Sequence, residues 1–303
     1  MTCSAASGYE GHDLQGHALV SLRLVPGVAT AEALPDIVDL LTRVFPRERP
    51  WAPDLEWQYL QNPYGPARYI NAYDQSGTLI GHYALLPTPP LAEPPVPVAS
   101  TYLSLNVAAD PAARVPGLMV ATTRALFRQI EGEGPALLLG VTNEKSFQGF
   151  VRMLKFASLG RLVLTVHPPG VLPLTQAPRA LSTDFRQLAW RTQRPGVRAF
   201  ADSARGAVTA RLQYLGVPLD AVLSTGLAPE LVRGLRLPCP AFYTPRLYAG
   251  FGGPVRHGIP VPDRARPSPL EYVFRFLGNP DHTGELARHL ASRAFEFLDF
   301  DVV

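Results

Sequence analysis

The chain has 303 residues, 47% hydrophobic and 17% charged, which predicts a folded core and excludes a disordered chain. A net charge of +3 argues for no nucleic-acid partner, and the apolar runs are too short for a membrane-spanning helix. Cys3 and Cys239 are the only cysteines; they make neither a disulfide framework nor a zinc-ligand pattern and fit a reducing cytoplasm.

Residues 1–16 read as a flexible lead without a signal-peptide pattern. Residues 17–25 alternate as a strand. Residues 31–45 carry Leu34, Ile37, Val38, Leu40, Leu41 and Val44 at helical spacing. Residues 54–60 predict a short helix stopped by Asn62-Pro63. Strands at 68–73 and 78–86 join through Asp74-Gln75-Ser76-Gly77, and the proline-rich 87–97 reads as an extended loop. A strand follows at 101–108, a helix at 118–130, an almost purely apolar strand at 136–141, a helix at 146–154 and a strand at 160–166. The expected fold class is α/β with a mixed central sheet, in the order β-α-α-β-β-β-α-β-α-β.

Pro168–Pro178 reads as a linker. Beyond it the pattern predicts a strand at 187–192, helices at 200–215 and 229–235, a strand at 271–277, a helix at 284–294 and an end strand at 295–303. The expected division is a domain over 17–167, a linker over 168–179 and a second, smaller α/β domain over 180–303. Direct identity shows no internal repeat.

The stretch Asp110-Pro111-Ala112-Ala113-Arg114-Val115-Pro116-Gly117-Leu118-Met119 lies between a strand and a helix. The first N–H groups of a helix lack intrahelical partners, and its dipole is positive there, so such a turn suits an anion. Arg114 can contact a phosphate, and Gly117 lets backbone approach it. An ordinary strand-to-helix turn is the alternative at this point.

Three segments carry a family resemblance. Arg114-Val115-Pro116-Gly117-Leu118-Met119 resembles the Arg/Gln-x-x-Gly-x-Gly/Ala pyrophosphate loop of the GNAT acetyltransferase superfamily. Leu55-Glu56-Trp57-Gln58-Tyr59-Leu60-Gln61-Asn62-Pro63-Tyr64-Gly65 resembles the Trp-x-Tyr-x-x-Asn-Pro-x-Gly segment of one bacterial branch. The segment from Asn143-Glu144-Lys145-Ser146-Phe147 through Phe150 to Leu154-Lys155-Phe156 resembles that branch's Asn-Glu-x-Ser segment. The ending Phe297-Leu298-Asp299-Phe300-Asp301-Val302 also resembles the branch, whose second half is a degenerate copy of the fold.

The resemblance implies acetyl-coenzyme A as cosubstrate. It implies Arg114, Val115, Gly117, Leu118 and Met119 at its pyrophosphate, Asn143 at its pantetheine arm, and Phe147 and Phe150 also among the cosubstrate-binding residues. Read as residues, Asn143 also suits a helix N-cap, and Phe147 and Phe150 suit packing. Pro116 lacks an N–H, and Phe150 stands where many GNAT enzymes place a tyrosine that protonates the leaving thiolate. Glu144, His82 and Glu56 are the candidates for a general base, and none is assigned. Tyr102 and Asn106 are expected to line the acceptor cleft. The histidines show no metal-ligand spacing, and no metal site is expected.

The expected function is a cytoplasmic acyl-CoA-dependent N-acyltransferase acting on a small-molecule amine, with no nucleic-acid or membrane partner. A non-catalytic binding protein on a GNAT scaffold is the alternative, favoured by Pro116 and Phe150. A Fem-type aminoacyl transferase fits the low charge poorly. Oligomeric state is not legible in the sequence.

Overall fold

The computed structural model describes residues 7–9, 22–46, 51–173, 177–214, 216–240, 244–251, 258–262, 265 and 269–299. The protein is a mixed α/β structure built on two mixed sheets.

The first sheet contains β1 (Ser7–Tyr9), β2 (Leu22–Val28), β3 (Arg68–Tyr73), β4 (Leu79–Pro87), β5 (Ser100–Ala109), β6 (Ala136–Thr142) and β7 (Ala157–Arg161). A late strand, β14 (Glu271–Leu277), inserts between β6 and β7. All neighbours are antiparallel except β5 and β6. The Asp74 carboxylate builds the β3–β4 turn by accepting from Ser76 N and Thr78 N, both at 2.9 Å, and Gly77 takes φ +83°.

Two helical layers cover this sheet. The apolar stripe of α3 (Leu118–Glu131), with Leu118, Leu126, Phe127 and Ile130, buries against one face. Phe150 and Phe156, after α4 (Glu144–Gln148), join that cluster. The other face packs on α1 (Leu34–Val44), through Ile37, Leu40 and Leu41, and on α2 (Trp51–Leu55) with its π-turn, Glu56–Leu60. Residues of the second sheet complete the same cluster.

The second sheet contains β8 (Val163–His167), β9 (Arg198–Asp202), β10 (Ala207–Tyr214), β11 (Val217–Ser224), β12 (Arg246–Phe251), β13 (Ile259–Pro260) and β15 (Phe295–Glu296). Its helices are α5 (Phe185–Thr192), α6 (Pro229–Gly234) and α7 (Thr283–Ala291). The run β9-β10-β11-α6-β12 repeats the topology of β3-β4-β5-α3-β6: three antiparallel strands, a crossover helix, then a parallel strand. Each parallel strand then takes an antiparallel neighbour from outside its run, β14 beside β6 and β8 beside β12. The sheets therefore exchange strands across the expected 167/180 division.

Several elements differ from the sequence reading. Ser7–Tyr9, within the expected flexible lead, pairs with β2; the expected first strand reaches only from Leu22, residues 17–21 lying outside the described residues. The strand expected at 160–166 is two strands in different sheets, broken at Leu162, whose N–H donates to Leu270 O at 2.9 Å. Residues 187–192 are helical. Leu188 and Trp190 mimic strand alternation, but Gln187 and Arg191 are buried too, which is helical spacing, and Asp184 caps the helix at Gln187 N. The helix expected at 200–215 is the β9–β10 hairpin. Asp202 accepts from Arg205 N in its turn, and Gly206 (φ +61°) lies so close to Leu227 that an added Cβ would sit 2.3 Å from its carbonyl oxygen. Strands β11 and β12 were unread. At the end, Phe295–Glu296 is a strand, Phe297–Asp299 a 3₁₀ turn, and residues 300–303 lie outside the described residues.

A stacked pair joins the halves, and a buried ion cluster holds the second half. Trp57 and Trp190 stack with centroids 4.5 Å apart, and each indole N–H donates to the other's carbonyl, at 3.0 and 3.2 Å. Arg179 donates to Glu296 at 2.6 Å and to Asp299 at 2.5 Å, inside the second half. Burial pushes both carboxyls above their ordinary range, against the pull of Arg179.

Trp190→Ala is expected to cost about 3–5 kcal/mol in urea unfolding, from lost area and the Trp57 carbonyl left without its indole donor. A loss below about 1 kcal/mol would show that the stack is dispensable. The buried acids set a pH dependence. A carboxyl held above its unfolded value stabilises the folded state at low pH, and that contribution fades as pH rises through the folded value. Arg179→Met is therefore expected to cost about 3–5 kcal/mol near pH 8 and less near pH 5. Urea unfolding at the two pH values checks the sign.

Candidate functional site

The ladder between β5 and β6 runs from the Ser100–Ala136 pair to the Ser104–Gly140 pair and stops. Both strands continue. β5 stays with β4 as far as Gly81–Ala109, and β6 stays with β14 as far as Thr142–Glu271. The strands thus part toward their C-terminal ends. A β-bulge marks the parting: Ala84 faces Leu105, but His82 faces Ala108. Asn106 occupies the bulge at φ +52°, a left-handed conformation that asparagine tolerates better than most residues. Leu105, Asn106 and Val107 are half-exposed here, whereas residues 101–104 are buried.

Because β5 and β6 are parallel, the turns that follow them lie on the same edge of the sheet. After β5, Asp110 accepts from Ala112 N at 2.9 Å and holds a short 3₁₀ turn. Arg43 braces this corner, donating to Asp110 at 3.2 Å and to Leu79 O at 2.9 Å. Arg114 (φ +48°) and Gly117 (φ +72°) are both left-handed. Arg114 and Gly117 are exposed, Val115 and Met119 half-buried, and Leu118 anchors α3 in the core. The first turn of α3 carries no acidic residue and no side-chain cap, and nothing lies within 4 Å of a Cβ built on Gly117. The positive end of α3 therefore faces open space.

After β6, Asn143 caps α4. Its Oδ1 accepts from Ser146 N at 3.0 Å, and Ser146 Oγ accepts from Asn143 N at 3.2 Å. The N-cap reading of Asn143 thus holds. Phe147 is half-buried against the α3-side core. Phe150 is 4% exposed and packs edge-to-face on Phe156 at 4.9 Å. It is a core aromatic, withdrawn from the gap.

The base candidates separate clearly. Glu144 is an exposed first-turn acid on α4, and Glu56 is exposed on the π-turn, accepting from Gln61 at 3.4 Å. His82 is 1% exposed, and burial pushes its pKa down to about 3, so it is neutral at physiological pH. Tyr102 does not reach the gap, contrary to expectation. It pairs with Leu138 before the parting and lines a hollow of about 410 Å³ with Tyr64, Arg68 and Thr88. Asn106 does lie at the gap. Its Nδ2 donates to Tyr59 Oη at 3.0 Å and to Gln58 Oε1 at 3.3 Å. Sequence reading passed over Gln58 and Tyr59 as site residues, although both lie inside the Trp57-x-Tyr59 motif. No group of three or more metal-ligating side chains occurs among the described residues, nor is any helix long and apolar enough to cross a membrane.

The second half has the corresponding parting, but it is filled. β11 and β12 pair only at Asp220–Arg246 and Ala221–Leu247. Beyond that point Glu296 accepts from Ser224 Oγ at 3.0 Å and Thr225 Oγ1 at 3.1 Å, and β15 pairs with Gly250 and Phe251. Among the described residues, no strand pairs into the parting of β5 and β6 in this way.

No protein-family model matches the chain, and no curated protein matches it in sequence. Solved structures do match in fold. A GCN5-related N-acetyltransferase from Anabaena variabilis aligns at 12% identity and TM-score 0.54, over 84% of this chain and 73% of its own. A GCN5-related N-acetyltransferase from Kribbella flavida aligns at 11% identity and TM-score 0.52, over 85% and 73%. The parted strands, the crossover helix and its repeat in the second half agree with that likeness: the chain has the two-half fold of the GNAT N-acetyltransferases.

Proposed function

We propose that the protein is an acyl-CoA-dependent N-acyltransferase, acetyl-CoA being the natural donor and a small-molecule amine the acceptor. The carrying observation is the open parting of β5 and β6, with a bulge at Asn106 and the uncapped N-terminus of α3 on the same edge. The residues fit the cosubstrate. Arg114 and the backbone of Val115, Gly117, Leu118 and Met119 would hold its pyrophosphate, because N–H groups and helix dipole favour an anion there. Asn143, its Oδ1 occupied by the cap, keeps an amide N–H₂ for the pantetheine arm.

Bound acyl-CoA supplies a carbonyl carbon whose bond to sulfur is exchanged for one to the amine nitrogen, leaving an amide and a free thiol. The chain positions the two reactants and supplies backbone donors where the strands part. His82, its pKa pushed down to about 3 by burial, is too weak a base to take the amine's proton, and Phe150 has no proton to give the leaving thiolate, so solvent takes the first and supplies the second. Phe150 also favours a second reading, a GNAT scaffold that binds coenzyme A without turnover. Calorimetry with acetyl-CoA, followed by thiol release with glucosamine, phenylethylamine, spermidine and lysine methyl ester, separates the two.

Gly117→Asp is expected to abolish acetyl-CoA binding, because it adds negative charge at the helix N-terminus. Gly117→Asn, which tolerates positive φ, serves as the folded control. Arg114→Ala is expected to weaken binding about tenfold. Unchanged calorimetric affinity in folded Gly117→Asp protein would remove the site. Catalysis should also show no titration of His82. The rate is expected to rise with pH as the acceptor loses its proton, without an inflection from a histidine between about pH 5 and 8. An inflection in that range, lost in a His82 variant, would contradict a neutral His82.

A further inference from the structure

A string of polar side chains runs from the protein surface to the gap between β5 and β6. Tyr73 Oη lies 3.5 Å from the Asp36 carboxylate, the longest link, and accepts from Asn71 Nδ2 at 3.3 Å. Asn71 Oδ1 lies 2.7 Å from His82 Nδ1. His82 Nε2 lies 2.9 Å from Tyr59 Oη, which accepts from Asn106 Nδ2 at 3.0 Å. The interior members Tyr59, His82 and Asn71 are buried, and their elements differ: the π-turn, β4 and β3.

Such a string has a direction. A carboxylate only accepts, so Tyr73 donates to Asp36 and takes its own hydrogen bond from Asn71 Nδ2. Asn71 then presents its oxygen to His82. A neutral imidazole donates from one nitrogen and accepts at the other, so the proton sits on Nδ1 and Nε2 accepts from the Tyr59 hydroxyl. The Tyr59 oxygen is left to accept, and Asn106 must turn its N–H₂ toward it. The second Nδ2 hydrogen goes to Gln58 Oε1, at 3.3 Å. Among the described residues none donates to Asn106 Oδ1.

We infer that this string fixes the Asn106 carboxamide with its oxygen toward the gap, where Oδ1 accepts an N–H of the acceptor amine. Tyr59 and His82 are then positioning residues, and acceptor specificity favours a nitrogen carrying a hydrogen to donate. The inference rests on the N-acyltransferase reading for the identity of the acceptor, but the direction of the string does not. An N–H held by Asn106 leaves the nitrogen lone pair free to point at the thioester carbon. A reversed string would turn the N–H₂ outward and repel a protonated or N–H-presenting group.

Two measurements test it. Long-range nitrogen–proton NMR on histidine-labelled protein reads the His82 tautomer without any ligand. The expected proton is on Nδ1; a proton on Nε2 reverses the string and overturns the inference, whatever the protein's activity. Steady-state kinetics with acetyl-CoA and whichever amine of the panel turns over fastest give the second readout. Tyr59→Phe removes the shorter of the two hydrogen bonds that hold the Asn106 carboxamide, and Asn106→Gly removes the carboxamide while keeping the positive φ. Each is expected to raise the amine KM about tenfold, with kcat and calorimetric acetyl-CoA affinity changed less than about twofold. An unchanged amine KM in Asn106→Gly protein overturns the contact. If wild-type protein binds no acetyl-CoA, the N-acyltransferase reading fails while the tautomer still decides the string.

Discussion

The structure turns on the place where one ladder stops. Parallel strands β5 and β6 hold each other through Ser104 and Gly140, and each then follows its outer neighbour. The bulge at Asn106 makes this possible, because one extra residue bends β5 toward β4 and increases its local twist. Backbone beyond that point lines a gap instead of a ladder. The crossover helix starts on the same edge, so its N-terminus and the gap lie together at one side of the sheet. Neither feature would form a site if the pairing continued to the strand ends.

The same topology occurs twice, with opposite outcomes. In the second half the strands part after only two pairs, but the chain returns to fill the space with Glu296 and β15. That filling uses a buried arginine, two carboxyls and the Ser224 and Thr225 hydroxyls, hydrogen-bonded to one another. A polar plug of this kind holds a unique arrangement but leaves no room for a ligand. The exchange of β14 and β8 between the sheets makes the halves mutually dependent. The site-bearing sheet is completed by a strand that follows nearly all of the second half in sequence.

Much of the site-bearing half was legible. Residues 68–73, 101–108, 118–130 and 136–141 announce themselves through period and turn chemistry, and the Arg114–Gly117 turn follows from its place between strand and helix. The second half was read less well, for local reasons. The alanines and arginines of 198–214 favour helix by propensity, yet Gly206 and the Asp202 turn fold them back as a hairpin. Residues 187–192 alternate like a strand, yet their burial is helical because Asp184 caps them. β12 hides among prolines and glycines, although Arg246 and Tyr248 are fully buried.

The sequence by itself determined the class of fold, the strand-to-helix turn at Arg114–Gly117 and the capping of α4 by Asn143, because each rests on residues adjacent in the chain. Tertiary structure decided what depends on residues far apart. It set Phe150 in the core and placed Tyr102 away from the gap. It filled one parting and left the other open. It also joined Tyr59, Asn71, His82 and Asn106, which lie on four elements, into one hydrogen-bonded string. Hydrogen-bond direction passes from one side chain to the next only where packing brings them within about 3 Å, and no local pattern in the chain records that proximity.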